Sequence, residues 1–235
     1  FYIFNVFKFI DMKVILCCFF LFTVSCVFAQ RDDSSRLTND YSGLVVNSTG
    51  AWIGNPIDDG IEGSVYLYDS WKSYAILTNR DDDKNLIIKD LNYDTKHNNF
   101  VVKVTNDSVY VFNNALIKEV RLNNKIFKEY TLKGEKRFLE VVAFNNSFEV
   151  LKNYDKVIRK GKLNPLTQVK DTDCYIIKET IYINKGISIA EIKLNKKTFT
   201  KLFGKDAKQV RDFINDNSIN FKDEKKLQTI LNFQN

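Results

Sequence analysis

Glu140 and Glu179 are the two acidic side chains whose positions could support catalysis. Each lies within an otherwise apolar stretch, KRFLEVVAF or YIIKETIYI, where an ionised carboxylate is costly unless it is paired. Two carboxylates that face each other across a cleft could supply the acid and the base of a glycosidase-type hydrolysis. The alternative, which the sequence favours, is that each glutamate forms a salt bridge with a lysine or an arginine.

Other reactive side chains are few. His97 is the single histidine and lies in the turn-like segment DTKHNN, so it cannot form the histidine clusters that bind zinc. The acidic run Asp81-Asp82-Asp83 lacks the alternating spacing of a calcium loop and is followed by Lys84. The sequence contains no Gly-rich phosphate loop, G-x-S-x-G elbow or H-E-x-x-H motif. It therefore predicts no cofactor and no metal, and it favours a non-enzymatic protein over a carboxylate-dependent hydrolase.

Positive charge is concentrated in the second half of the chain. Residues 30–113 carry 8 Lys and Arg against 13 Asp and Glu, whereas residues 114–235 carry 25 against 15. This asymmetry is explained either by attraction between the two halves or by an anionic partner for the basic half. An exported protein would meet an acidic glycan or lipid of the envelope before it met nucleic acid. The stretch 125–162, in which lysines and arginines are interleaved with Phe and Tyr, predicts a patch for an anionic ligand, with a solvated strand face as the alternative, at Lys152, Lys156, Arg159 and Lys160.

The chain from residue 63 to residue 194 has the composition of successive β-strands. Its apolar runs are rich in Val, Ile, Tyr and Phe, and they include SVYLYD, YAILTN, NFVVKVT and KRFLEVVAF. Breaks such as Asn123-Asn124 and Gly134-Glu135 suit tight hairpin turns, because Asn and Gly tolerate a positive φ. No helix-length pattern separates these runs before residue 150, so parallel crossovers have no room. We expect an antiparallel β-meander of about ten strands, either a curved sheet or a sandwich- or barrel-like arrangement, with a bulge in ISIAEIKL.

After Leu194 the apolar spacing becomes helical. Phe199, Leu202 and Phe203 predict one helix, and similar triplets around residues 210–214 and 227–231 predict two more. Each has a narrow apolar stripe and a Lys-rich opposite side, which favours docking on the sheet or on another helix. Contact with anionic lipid is the alternative. The predicted fold class is therefore α+β, an antiparallel β-meander followed by two to three C-terminal α-helices.

The predicted domain organisation places a leader before this fold. Residues 1–11 are interpreted as an upstream extension and residues 12–29 as a signal peptide, because a lysine and an apolar stretch are followed by compact residues. We expect cleavage between Ala29 and Gln30, no transmembrane helix after signal removal, and a periplasmic or secreted protein. The remaining predicted segments are a polar lead-in or linker at 30–62, an antiparallel β domain at 63–194 and C-terminal helices packed on it at 195–235.

One of the cysteines, Cys26, supports an alternative interpretation of the leader. The segment TVSC, which ends at Cys26, is similar to a bacterial lipobox, so cleavage before Cys26 and lipid anchoring is the competing interpretation. With cleavage after residue 29, Cys174 is the one cysteine that remains, which excludes a disulfide within the mature chain. We interpret Cys174 as a buried thiol, with a nucleophile or a bridge between two chains as alternatives.

Three segments carry a resemblance to other proteins. GSVYLYDSW at 63–71, NDSVYVFNN at 106–114 and the ending KLNKKTFTKLFG…FINDNSINFKDEKKLQTILNF resemble a group of uncharacterised exported proteins of flavobacteria-like, Bacteroidetes-type bacteria. The resemblance spans about residues 63–233 and rests on structural rather than catalytic motifs. It implies export from a Gram-negative cell and no known activity, substrate or cofactor, and no functional residue is carried over from it.

These observations define the functional hypotheses. The first is an exported non-enzymatic binding or structural module of the bacterial periplasm or cell surface, with an anionic envelope glycan or lipid as the expected partner. The alternatives are a carboxylate-dependent hydrolase and a lipid-anchored envelope protein lipidated at Cys26.

Overall fold

The structure is a computed structural model that describes residues 50–54, 60–105, 108–221 and 223–233. All of them belong to one compact unit, Gly43–Asn235. The predictions for the leader, including cleavage between Ala29 and Gln30 and lipidation at Cys26, lie outside the described residues.

The described ranges contain twelve strands followed by three α-helices, with short 3-10 turns at Asn114–Leu116 and Gly204–Asp206. The strands are β1 (Ala51–Gly54), β2 (Tyr74–Asn79), β3 (Asn85–Lys89), β4 (Leu91–Asp94), β5 (Asn99–Thr105), β6 (Ser108–Val111), β7 (Ile117–Leu122), β8 (Lys125–Leu132), β9 (Glu135–Phe144), β10 (Glu149–Arg159), β11 (Cys174–Asn184) and β12 (Ile189–Ile192). The helices are α1 (Lys196–Lys201), α2 (Ala207–Asp216) and α3 (Lys225–Asn232).

These strands form two sheets. The larger has the order β12-β11-β10-β9-β8-β7-β2-β3, and the smaller has the order β1-β6-β5-β4. Each pairing between these strands is antiparallel. The predicted α+β class, a β-meander followed by C-terminal helices, is confirmed.

Turn chemistry explains the hairpins of the larger sheet. Asn123 and Asn124 have φ values of 50° and 64° between β7 and β8, as primed two-residue turns require. The next turn uses Lys133 and Gly134, with φ values of 52° and 89°, which is one residue earlier than the predicted Gly134-Glu135. Glycine supplies the second left-handed position there without steric cost.

One predicted strand and one predicted bulge are absent from the described structure. Ser64–Asp69, the segment SVYLYD, makes isolated contacts with β4: the N–H of Leu67 donates to the carbonyl of Tyr93 at 2.8 Å. Just before it, Glu62 bridges to Cys174 in β11, so the segment crosses between two strands and follows neither. The predicted bulge in ISIAEIKL is also wrong, because β12 pairs with β11 in continuous register.

Two buried clusters lie on one side of the larger sheet, and a smaller one lies on the opposite side, at Leu132, Leu139, Val141, Leu151 and Tyr182. Register places Leu77, Val120, Phe127, Glu140 and Lys152 in one row across β2, β7, β8, β9 and β10. At one end of this side an aromatic cluster joins the two sheets, with ring centroids 5.0–5.7 Å apart, between Tyr93, Phe100, Phe127 and Phe138. At the other end the helices cover β9–β11 with a second buried cluster that includes Phe148, Val150, Ile183, Phe199, Val210, Leu227 and Ile230.

Candidate functional site

The Glu140 carboxylate is held in a buried polar network. Its side chain points from β9 into the interior, and the residue is 6% exposed. The Nζ of Lys125, which begins β8 directly after the Asn123–Asn124 turn, lies 2.9 Å from each carboxylate oxygen. The same ammonium donates to the Tyr154 hydroxyl at 2.6 Å, and that hydroxyl in turn donates to Glu140 Oε2. The carboxylate is thus neutralised by Lys125 and further satisfied by Tyr154.

The tyrosines around Glu140 are held in their protonated form. Burial, with the adjacent charge of Glu140, raises the pKa of Tyr154 far above its usual value of 10.0. Burial and Glu140 also raise the pKa of Tyr68 to about 12, against a smaller opposing effect of Asn123. Tyr68 is positioned by Asn92, whose side-chain amide donates to the Tyr68 carbonyl at 2.7 Å. Tyr154 is therefore a hydrogen-bond donor to Glu140 at neutral pH.

Lys152 forms a second ion-pair centre on the same side of the sheet. Its side chain is 3% exposed, and its Nζ pairs with Glu224, just before α3, and with Glu179 Oε2 in β11 at 3.4 Å. The ammonium also lies 5.6 Å from the ring centroid of Tyr154. Lys152 therefore ties the sheet to the third helix. Both glutamates considered for catalysis form the salt bridges that the sequence favoured.

The four residues of the predicted anionic-ligand patch occupy different environments. Lys152 is buried, Lys156 is half-buried, and Arg159 and Lys160 are exposed. The Nζ of Lys160 lies 2.7 Å from a carboxylate oxygen of Asp173 across the β10–β11 hairpin. In this patch, therefore, two of the four charges are paired within the protein.

The remaining candidate residues lie on the surface. The Nδ1 of His97 is 2.7 Å from Asp94 Oδ2, and its side chain is 60% exposed. In the β2–β3 turn, Asp82 pairs with Lys84 at 2.8 Å, and hydrogen bonds from Lys84 lower the pKa of Asp82. Cys174 is half-buried and has no disulfide partner in the described ranges. Within those ranges no group of three or more His, Cys, Asp or Glu side chains could hold a metal ion.

The strongest concentration of uncompensated charge lies on the helices. Residues 193–211 contain seven basic residues and one acidic residue, Asp206. None of the seven lies within 4.0 Å of a carboxylate in the part of the chain that the structure describes. We define the cationic helical surface as Lys193, Lys196, Lys197, Lys201, Lys205, Lys208 and Arg211.

Packing explains why these charges point outward. Asn195 caps the N-terminus of helix α1, since its side chain accepts a hydrogen bond from the Thr198 N–H at 2.9 Å. The helices bury Phe199, Val210 and Ile214 against the sheet, so lysines on the opposite side remain in solvent. The sequence signal for this surface is a run of basic residues with a single acidic residue, Asp206, among them.

Comparisons of the chain with known protein families, curated proteins and solved structures find no match. Among the helices of the described ranges, none has the length and apolar character needed to cross a membrane.

Proposed function

We propose that the protein is an exported, non-enzymatic binding or structural module of the bacterial periplasm or cell surface. Its partner is an anionic glycan or lipid of the envelope, and the contact is made by the cationic helical surface. The observation that carries this proposal is that seven cations are grouped on residues 193–211 without an ion pair to any described carboxylate. By contrast, the carboxylates considered for catalysis are bonded to lysines of the same protein.

Repulsion between like charges on the cationic helical surface favours an anionic partner. Cations held on neighbouring elements repel one another, and an anionic surface relieves that repulsion while it releases counterions. Near an anionic membrane each Lys or Arg contributes about 1 kcal/mol, and the effect fades within a Debye length of about 8 Å at physiological salt. Several weak contacts of this kind would produce binding that falls steeply as salt is added. Polymers such as acidic glycans present the same charge pattern and are recognised by the same surface.

The test measures retention of the full chain on vesicles that contain anionic lipid and on an immobilised polyuronate. The test variant neutralises four exposed members of the cationic helical surface through Lys197→Gln, Lys201→Gln, Lys205→Gln and Lys208→Gln. We expect a loss of most salt-sensitive binding. Zwitterionic vesicles serve as the background, and the two anionic matrices distinguish lipid from glycan.

A matched control removes the same charge from exposed lysines elsewhere. It combines Lys72→Gln, Lys96→Gln, Lys133→Gln and Lys162→Gln, all in exposed positions. An equal loss in this control would show that net charge, and not the cationic helical surface, governs binding. A third variant, Lys156→Gln with Arg159→Gln, tests the patch predicted on β10.

A further inference from the structure

Strand β3 forms one edge of the larger sheet and pairs only with β2 among the described strands. The N–H of Asn79 donates to the carbonyl of Lys84 at 2.9 Å, and the N–H of Asp90 donates to the carbonyl of Ser73 at 3.0 Å. Because backbone direction alternates along an antiparallel strand, even-numbered residues of β3 bond toward β2. The backbone groups of Asn85, Ile87 and Lys89 therefore point away from the sheet.

The outer face beside this edge is unexpectedly apolar. Tyr74 is 70% exposed, Ile87 is 69% exposed and Ile76 is 38% exposed, whereas Ile88 and Leu77 on the opposite face are fully buried. A solvent-facing side of an antiparallel sheet is normally polar. Register places Ile87 beside Ile76 and then Arg121 across β3, β2 and β7. Apolar side chains next to an open strand edge are typical of a protein contact surface.

The sequence of β3 and its flanks is self-complementary. If two copies pair antiparallel about a two-fold axis at Ile87, then Ile87 faces Ile87 of the second copy. Asn85 then faces Lys89 of the second copy, and Lys84 faces Asp90 of the second copy. No like charges oppose each other, and an opposite-charge pair flanks the strand at both ends. The outward backbone groups of Asn85, Ile87 and Lys89 are also the ones that this register would hydrogen-bond.

We propose that β3 is a dimerisation edge through which two copies of this chain join their larger sheets into one continuous sheet. The contact is isologous, as expected for a two-fold dimer. Main-chain hydrogen bonds join the two β3 strands, and Ile76 and Ile87 of both copies form one apolar row on the outer face. The proposal is independent of the anionic partner, because the helices that carry the cationic helical surface pack on β9–β11 and not on β3.

The first test follows the mass of the full chain by sedimentation velocity over a wide concentration range. The wild-type chain is expected to dimerise, and Ile87→Lys is expected to weaken dimerisation about tenfold or more, because it places like charges directly opposite each other. Ile187→Lys is the matched control, since Ile187 is fully exposed in the β11–β12 turn. A wild-type monomer at all concentrations, or equal effects of the two substitutions, overturns the proposal.

The second test does not depend on the stability of the lysine variant. In a hydrogen-bonded antiparallel pair the Cα atoms are about 5.5 Å apart, within the range that a disulfide spans. With the four native cysteines replaced by serine, Ile87→Cys is expected to give a covalent dimer under mild oxidation. Leu166→Cys, at a residue that is 92% exposed, should remain monomeric. Failure of Ile87→Cys to cross-link beyond this control contradicts the β3 register.

Discussion

At the scale of single residues, the buried network around Glu140 contributes to the stability of the fold. A carboxylate that is 6% exposed would be strongly destabilising if its partners were removed. Lys125 supplies the charge, and Tyr154 supplies a further donor. The stability cost of breaking this buried ion pair can therefore be compared with the cost of breaking an exposed one.

We predict that Lys125→Met lowers the free energy of unfolding by about 3 kcal/mol, because Glu140 is left buried without its counter-ion. The control is Lys118→Met, which removes an exposed pair with Asp83 whose atoms are 2.6 Å apart. Its expected cost is below about 1 kcal/mol, since water screens exposed pairs. Urea unfolding monitored by circular dichroism measures both. Similar costs for the two variants would show that Glu140 is stabilised by other groups.

Buried tyrosines predict a stability limit at alkaline pH. Burial is the main cause of the raised pKa values of Tyr68, Tyr93, Tyr130 and Tyr154. The unfolded chain loses these protons near pH 10, whereas the folded chain keeps them, so unfolding releases protons above that pH. The contribution of these tyrosines to the free energy of unfolding should be fully present below about pH 10 and should decline as the pH rises further.

Two measurements check this prediction. The first compares urea unfolding midpoints below and above about pH 10, and the second follows the tyrosinate absorbance of the native protein as the pH is raised. Tyr154→Phe removes one contributor and should flatten the decline. A native protein whose tyrosines all ionise near pH 10 would contradict the burial of these hydroxyls.

At the scale of elements, the cationic helical surface depends on the helices' anchorage to the sheet. Phe199 of α1 is fully buried and lies 5.4–6.4 Å from the rings of Phe148, Phe203 and Phe221. Helix α3 is fixed to β9 by Gln228, whose side-chain amide donates to the carbonyl of Phe144 and accepts from its N–H, both at 3.0 Å. The cationic helical surface thus lies on helices that are packed against the larger sheet.

We predict that Phe199→Ala lowers the free energy of unfolding by about 3–5 kcal/mol through loss of contacts and a cavity. Salt-sensitive binding to anionic vesicles should be lost at the temperature at which this layer unfolds. Ile187→Ala, at a fully exposed residue, should change neither quantity. Thermal unfolding and vesicle binding of the same samples provide the check, and undiminished binding by an unfolded Phe199→Ala chain would indicate that charge acts without the fold.

The elements predictable from the sequence were those fixed by local chemistry. The Asn123-Asn124 turn is decided by the conformational preferences of the two asparagines, so its hairpin was located correctly, and helical apolar spacing located α1 around Phe199. Ser64–Asp69 has strand composition, but its contacts to β4 and β11 depend on tertiary placement. The inward orientation of the Lys152 side chain could not be predicted either, because its partner Glu224 lies 72 residues away in the chain.

At the scale of the whole molecule, the location of the protein decides which anionic partner it can meet. A signal peptide at residues 12–29, as the sequence predicts, would direct the chain out of the cytoplasm to a compartment in which acidic glycans and lipid headgroups are accessible. Release after Ala29 would leave the cationic helical surface free to bind either of them. Lipidation at Cys26 would instead hold the protein beside a membrane and favour the lipid.

We predict that the mature protein from its native cell is a soluble species that begins at Gln30, because compact residues precede that position as signal peptidase requires. Intact mass spectrometry of separated soluble and membrane fractions measures this. Cys26→Ser should leave the mass after cleavage and the distribution between fractions unchanged, since Cys26 is removed with the leader. A membrane-bound species that begins at Cys26 and is heavier by acyl chains would contradict release. It would make the protein lipid-anchored and shift the expected partner toward the lipid surface.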